Sequence, residues 1–386
     1  MTTAGRKLGA GSSRRGVLKT TKSGRPFARN LLDIYAAFAL ALPLHRTYRW
    51  FTRYEDVFVF DDALRVLANL KVLQRLTGPQ APTEPGTTAV KTLTYNLVPD
   101  SAHRLCELFM AARLIADVTD PRSRTFVHAG VYVLTPKGLH IAEQFVARSG
   151  GSSVIAESQL TQAAAHAAAA SLAQSSDSPM ESAALRLLAV HPVCPTLLHL
   201  VRGWDDDEVV MSADVVRAAF RWFLGRATKD GQMFATDETG KYKQHASGVQ
   251  AEMCFRAADA VDRLLDHTSL LGPDEAGKLL AHCVRLGLLE AAHLGERKRK
   301  TTKVYTATAQ GGAEEGMQAT GEFVLSPKAV YRLTEEGRRV AGELEGDQLD
   351  VPLLTSGYST PSALPRSEEE RLGGVYMTTR EVGTAE

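Results

Sequence analysis

Apolar residues recur at helix spacing in the first hydrophobic stretch of the chain, FARNLLDIYAAFALAL, which ends before Pro43. This spacing predicts a helix, and a proline does not continue one. The next stretch, RTYRWFTRYED (46–56), is basic and aromatic and favours a short β-hairpin over a helix.

Two parts of the chain then carry the same landmarks in the same order, which indicates an internal repeat. An aromatic residue opens a predicted helix at Phe58 and again at Phe255. A second predicted helix follows in each half, with apolar residues at i, i+3, i+4, i+7 and i+10. These are Leu105, Leu108, Phe109, Ala112 and Ile115 in one half, and Ala276, Leu279, Leu280, Cys283 and Leu286 in the other. Each stripe predicts one core-facing helix surface, and β-like segments follow at 113–118 and 287–292.

Both halves close on the same motif, Val-Tyr-x-Leu-Thr-x-x-Gly, at residues 131–138 and 330–337. Its first residues predict a strand, and its threonine can cap the helix that follows. Three helices with a terminal β-hairpin form the winged-helix arrangement. The sequence therefore predicts an α+β protein with two winged-helix domains, each a three-helix core with a β-hairpin wing and a terminal helix.

Composition sets the expected domain limits. Residues 1–25 carry seven Lys or Arg and no acid, which predicts a disordered basic arm. The Ala/Ser-rich residues 149–180 predict a linker. The first domain is then expected at 26–148, the second at 181–345, and a disordered tail at 346–386. Long insertions at 74–100 and 294–325 distinguish the two halves.

Charge matters locally, because a net charge of +1 excludes a uniformly basic surface. The second wing concentrates five basic residues that can contact lipid headgroups, nucleic-acid phosphates or acidic peptides: Arg297, Lys298, Arg299, Lys300 and Lys303. A solvated charged hairpin is the alternative. A possible partner edge combines arginines and aromatic residues of the first hairpin, Arg46, Arg49, Trp50, Arg53 and Tyr54, although such aromatics often pack on their own core.

Catalytic chemistry finds no support in the sequence. It lacks a phosphate-binding loop, a dinucleotide fingerprint and a nucleophile elbow. Its four cysteines are scattered without close Cys or His pairs, so we expect no metal and no cofactor. Asp205–Glu208 lacks the glycine and glutamate of a calcium loop and is interpreted as a solvated segment. Since no apolar run reaches about 20 residues, we expect a cytoplasmic protein. The missing catalytic motifs lead us to expect a non-enzymatic one.

Three segments, GRPFARNLLDIYAAFALALPL, RTYRWFTRYEDVFVFDDALRVLANLKV and VYVLTPKGLHIAEQF, resemble the fungal differentiation regulator region of fungal RGS proteins. FRAADAVDRLLDHTSLLGPDEAGKLLAHCVRLGLLEAA resembles the DEP domain that follows it. The resemblance implies tandem DEP-like domains in a regulator of heterotrimeric G-protein signalling. Such domains recruit the regulator to the cytoplasmic tail of a G-protein-coupled receptor and to the anionic phospholipid surface of the plasma membrane, where it attenuates the pheromone response or development.

In that family, GTPase acceleration belongs to a C-terminal RGS box. The residues after Glu345 are too few and too polar for such a helical bundle. We therefore expect contact with Gα only through an RGS box that this chain lacks. Peripheral association with the plasma membrane is the expected location.

The main alternative is a winged-helix DNA-binding transcription regulator. DNA reading requires a basic outer face on the helix that enters the major groove. The candidate helices at 101–114 and 273–288 carry few basic residues beside several acids, which argues against DNA as the partner. A purely structural scaffold is the third alternative.

Overall fold

A computed structural model of the chain describes residues 20–49, 51–75, 90–149, 196–230, 253–294, 300–305, 320–342 and 375–379. The chain divides into two units, residues 1–195 and 196–386. The predicted linker, apart from Ser149, lies outside the described residues. The domain limits inferred from composition remain predictions.

The first unit begins with a helix that its neighbours surround. Helix α1 (Ala28–Ala41) buries nine of its residues, among them Leu31, Tyr35 and Phe38, and it ends two residues before Pro43 because the residue before a proline disfavours helical geometry. The remaining elements are β1 (His45–Arg49), β2 (Thr52–Val59), α2 (Phe60–Ala68), β3 (Leu70–Arg75), β4 (Val90–Tyr95), α3 (Pro99–Ala111), β5 (Ile115–Asp117), β6 (Val131–Leu134) and α4 (Pro136–Ser149).

The second unit repeats this order with different additions. It contains β7 (Thr196–Leu200), α5 (Ala213–Asp230), β8 (Cys254–Arg256), α6 (Ala257–His267), α7 (Pro273–Arg285), β9 (Leu289–His293), β10 (Lys300–Tyr305), β11 (Thr320–Leu325), β12 (Val330–Leu333), α8 (Glu335–Gly342) and β13 (Val375–Thr379). These elements and those of the first unit confirm an α+β protein of the winged-helix type.

A three-stranded antiparallel sheet is the frame common to both units. The order is β2–β6–β5 in the first unit, where β1 adds a fourth strand, and β8–β12–β9 in the second. Phe58 pairs with Tyr132 in one sheet, and Phe255 pairs with Tyr331 in the other. The repeat inferred from the sequence is therefore a repeat of sheet register.

Those two aromatics lie in strands and do not open helices, so this part of the sequence prediction was wrong in both halves. Helix α2 starts at Phe60 and α6 at Ala257. Cross-strand pairing with a buried tyrosine holds Phe58 and Phe255 in extended backbone, and tertiary packing of this kind overrides local helix spacing.

The two long insertions are β-hairpins at different places in the frame. Strands β3 and β4 pair between α2 and α3 in the first unit. Strands β10 and β11 pair between β9 and β12 in the second unit and form its predicted wing.

Parts of the predicted disordered arm and of the predicted disordered tail form regular structure. Residues 20–25 form a turn in which the Thr21 amide donates to the Arg25 carbonyl (2.8 Å). Strand β13 lies inside the predicted tail and pairs antiparallel with β7. Its alternating Val-Tyr-Met-Thr-Thr sequence suits a strand that gains a partner only through long-range folding.

Candidate functional site

The repeated motif builds the junction that positions the other elements. In the first unit the Thr135 hydroxyl accepts from the Gly138 amide (3.0 Å), which caps α4, and donates to the Arg113 carbonyl (2.7 Å). In the second unit the Thr334 hydroxyl accepts from the Gly337 amide at the same distance, 3.0 Å, and donates to the Gly287 carbonyl. The capping role predicted for the threonine is confirmed.

The glycine of the motif lies against backbone. A Cβ at Gly138 would overlap the Leu114 carbonyl oxygen and the Tyr35 hydroxyl, and a Cβ at Gly337 would overlap the Leu288 carbonyl oxygen. Both glycines therefore let the terminal helix approach the turn before β5 or β9. The motif is a packing device in both units.

A further repeated pair escaped the sequence comparison. Phe126 stacks on Tyr132 with ring centroids 4.4 Å apart, and Phe323 stacks on Tyr331 at 4.4 Å. The tyrosine hydroxyl accepts the amide of the residue after each phenylalanine, at 2.7 Å in the first unit and 2.8 Å in the second. A Phe-Val pair before each closing motif could have revealed this repeat in the sequence. The pair lies two residues further from the motif in the second unit, because the turn between them is longer.

The first candidate contact surface is the β1–β2 hairpin, whose register confirms the predicted hairpin. Thr47 lies opposite Tyr54, and Tyr48 lies opposite Arg53. Because side chains alternate along a strand, Tyr48 and Arg53 share one face. Arg46 and Glu55 lie on that face as well, and all four are exposed.

Two of the predicted edge residues lie elsewhere. Arg49 and Tyr54 are half-buried on the opposite hairpin face, and the Arg49 guanidinium is 4.0 Å from the Asp117 carboxylate. Trp50 lies outside the described residues. The predicted five-residue edge therefore splits. Strand alternation alone would have grouped Arg46 with Tyr48 and not with Arg49.

The hairpin tip presents an aromatic side chain to solvent. Phe51 is fully exposed and has φ of 67°, and Tyr48 is 69% exposed. A bulky residue in the left-handed region is uncommon and costs free energy. Both Arg46 and Arg53 contact the single carboxylate of Glu55, so the face keeps an excess of positive charge. We call Arg46, Tyr48, Phe51 and Arg53 the aromatic-basic face.

The second candidate surface is the predicted basic wing. Arg297, Lys298 and Arg299 lie outside the described residues, and Lys300 begins β10 opposite Leu325. The Lys303 ammonium is 3.5 Å from the carboxylate of Glu322, its cross-strand neighbour, and both side chains are about half-exposed. The described part of the wing therefore contributes a partly neutralised lysine, and the five-residue site stays a prediction.

A basic strip runs along α7 beside the wing. Lys278, His282 and Arg285 follow one another at i, i+4 and i+7, which places them on one helix face. Burial, and then the positive charges of Arg285 and Lys278, lower the pKa of His282. The cationic side chains of Lys278 and Arg285 give the strip its positive charge. The Lys278 ammonium is 3.4 Å from the Glu208 carboxylate, so part of that charge is compensated.

The wing hairpin lies directly on α7. A Cβ at Gly321 would overlap the Ala281 carbonyl oxygen, and a Cβ at Gly277 would meet Leu325 and Thr302. The face of α7 that carries Gly277 and Ala281 is therefore covered. Within the described ranges, no group of three His, Cys, Asp or Glu side chains could hold a metal ion, and no helix is long and apolar enough to cross a bilayer.

The frame defines a winged-helix protein, and the exposed features described above are candidate contact surfaces. Residues 30–162 match the family model described as fungal-differentiation regulator winged helix domain. This match lies within the first unit and confirms the resemblance of that region to the fungal differentiation regulator. The resemblance of the second unit to a DEP domain stays a prediction.

Two curated relatives extend this finding. The chain is 25% identical over 379 residues to the developmental regulator flbA of Emericella nidulans, and the match covers 94% of this chain and 46% of that protein. It is 26% identical over 139 residues to regulator of G-protein signaling 1 of Schizosaccharomyces pombe, with 36% of this chain and 28% of that protein covered. The chain spans less than half the length of these relatives. No solved structure matches it significantly.

Proposed function

We propose that the chain is the non-catalytic docking region of a regulator of heterotrimeric G-protein signalling that acts in fungal development. The similarity to a developmental regulator and to a regulator of G-protein signalling supports this role. GTPase acceleration is assigned to an RGS box outside this chain, which alone would contact Gα. The second unit is proposed as the DEP domain of the pair.

The partner proposed for the first unit is the anionic surface of the plasma membrane, and the aromatic-basic face carries this proposal. Phe51 and Tyr48 offer exposed rings at a hairpin tip, while Arg46 and Arg53 stand beside them. Aromatic rings favour the interface between headgroups and acyl chains, and basic residues near an anionic surface contribute about 1 kcal/mol each. The cytoplasmic tail of a receptor is proposed as the protein partner of the tandem domains.

The DNA-binding alternative receives less support from the second unit. The wing hairpin covers the α7 face at Gly277 and Ala281, and the core takes the face that includes Leu279, Leu280 and Cys283. The basic strip of Lys278, His282 and Arg285 that remains is narrow for a helix that must enter a major groove.

Vesicle co-sedimentation tests the membrane proposal. The full chain is mixed with phosphatidylcholine vesicles, with vesicles that also contain phosphatidylserine, and with random duplex DNA. We expect binding to the anionic vesicles. The double variant Tyr48→Ser/Phe51→Ser should weaken it at least tenfold, since two rings that enter the membrane interface contribute more than about 1.4 kcal/mol. Val98→Ser is the control, because Val98 is apolar, 62% exposed and precedes α3 outside this hairpin.

The wing is tested separately by replacing Arg297, Lys298, Arg299, Lys300 and Lys303 with serine. Loss of anionic-vesicle binding would assign the contact to the wing. Equal vesicle binding by Tyr48→Ser/Phe51→Ser and by the unchanged chain would refute the role of the aromatic-basic face. Duplex binding with a steep salt dependence and no vesicle binding would refute the membrane proposal.

A further inference from the structure

A short hairpin between β7 and α5 displays apolar side chains on the second unit. The Val210 amide donates to the Val201 carbonyl (2.9 Å), and the Gly203 amide donates to the Glu208 carbonyl (2.8 Å). These bonds flank the antiparallel bridge between Arg202 and Val209. Val201 and Val210 are therefore opposite each other on one face, while Arg202 and Val209 share the other.

The inward face fixes this hairpin to the second unit. Arg202 donates to both carboxylate oxygens of Glu275, at 2.8 and 2.7 Å, and its side chain is only 10% exposed. The same guanidinium donates to the Asp207 carbonyl (2.9 Å) and the Ser269 carbonyl (3.3 Å). A bidentate pair of this kind has fixed geometry, so the hairpin is held in one orientation.

The outward face is apolar and accessible. Trp204 at the turn is 64% exposed, Val210 40% and Val201 38%. Tryptophan is enriched among the residues that dominate protein interfaces. Since the hairpin is already ordered, it would lose little conformational entropy when a partner binds.

The charge around these side chains defines the partner. Asp205, Asp206 and Glu208 are exposed next to Trp204, and only Glu208 has a described cationic neighbour, Lys278 at 3.4 Å. The one arginine of the hairpin is engaged by Glu275 on the inward face. An indole ring beside carboxylates suits a guanidinium or ammonium group, which stacks on the ring and pairs with the acids.

We propose that this acidic-aromatic hairpin, defined by Val201, Trp204, Asp205, Asp206, Glu208 and Val210, is a docking surface for a basic peptide segment of another protein. The segment presents Arg or Lys to the carboxylates and the indole, and an aliphatic side chain to the valines. This surface is separate from the aromatic-basic face and does not depend on membrane binding.

Fluorescence anisotropy of a labelled Arg/Lys/Leu peptide, titrated with the full chain, tests the proposal. Trp204→Ala and the triple variant Asp205→Ser/Asp206→Ser/Glu208→Ser should each weaken binding about tenfold, as expected for a central interface residue. The matched control replaces three exposed acids of the first unit, Asp61, Asp100 and Asp120, with serine and should leave affinity unchanged. Far-UV circular dichroism checks that each variant is folded.

The other outcomes would overturn the proposal. Equal weakening by the control triple would mean non-specific attraction, and unchanged binding by Trp204→Ala would exclude the hairpin. If serine at the seven basic positions of residues 1–25 strengthens peptide binding, this chain's own arm is the occupant. If light scattering shows a dimer that Trp204→Ala dissociates, a second copy is the occupant.

Discussion

The glycine that ends the repeated motif offers the sharpest test of the fold. In the first unit the Leu114 carbonyl oxygen accepts from the Tyr35 hydroxyl (2.9 Å) and from the Thr135 amide (3.1 Å). Gly138 lies against this oxygen and against the same tyrosine hydroxyl. Gly138→Ala therefore places a methyl group into a hydrogen-bonded junction that has no space for it.

The expected cost is the balance of three contributions. Alanine is favoured over glycine inside a helix by about 1 kcal/mol. Overpacking a well-packed site costs about 1–3 kcal/mol. Displacing the Tyr35 hydroxyl, which is fully buried, leaves a polar group unsatisfied at a further cost of about 1–3 kcal/mol. The sum predicts a destabilisation of the first unit by about 3 kcal/mol.

Hydrogen–deuterium exchange with mass spectrometry measures this loss for each unit of the full chain. Gly138→Ala should accelerate exchange of slowly exchanging amides in α1, α4 and β6, and Gly337→Ala should do so in the second unit. Gly272→Ser is the control, because no heavy atom lies within 4 Å of its added Cβ and its φ of −179° is extended. Serine also suits its position before α7.

Unchanged protection in Gly138→Ala would refute the packing argument, since helix propensity alone predicts a slight gain. A loss in Gly272→Ser as large as that in Gly138→Ala would also refute it. In that case the addition of any side chain at a glycine, and not the close contact at Gly138, would explain the loss of protection in both variants.

Two further predictions concern the helix ends of the frame. Arg113 (φ 55°) and Gly287 (φ 70°) occupy equivalent left-handed positions after α3 and α7. Arg113→Gly should therefore stabilise the chain, and Gly287→Ala should destabilise it. Urea denaturation should show a change of about 1 kcal/mol in the free energy of unfolding for each variant. The lowered pKa of His282 makes its protonation less favourable in the folded chain. Stability should therefore fall as pH drops through about 6.5, and His282→Gln should flatten that dependence between pH 7.5 and 5.5.

Much of the frame could be predicted from the sequence because its signals are local. Helix spacing before Pro43 predicted α1, and the Val-Tyr-x-Leu-Thr-x-x-Gly motif predicted both terminal strands and the capped helices. The predicted apolar stripe of α3 included Ile115, which lies in β5 beyond the helix end. The stripe of α7 ended similarly, since Leu286 is the residue that caps the helix. In both cases a buried strand or turn continues the apolar pattern past the helix.

The candidate surfaces were less predictable because they depend on contacts between distant residues. Arg202 and Glu275 lie 73 positions apart, and nothing local indicates that this pair holds the acidic-aromatic hairpin. The interpretation of Asp205–Glu208 as a solvated segment holds for three of its residues and is wrong for Asp207, which is buried. The exposure of Trp204 followed only from the fold. On the first hairpin, the grouping of Tyr48 with Arg53 required the register of the strands.

The division between repeated and unrepeated parts explains where the surfaces lie. The tyrosine stack, the capped helix and the close glycine recur in both units, and their residues pack within the frame. Strand β1, by contrast, extends the sheet of the first unit only. Among the described residues, the acidic-aromatic hairpin has no counterpart in the first unit. It follows β7, where the Leu200 amide donates to the Ser269 hydroxyl (2.9 Å). Each surface is an addition to a common frame. Substitutions on a surface should therefore reduce binding and leave the frame folded.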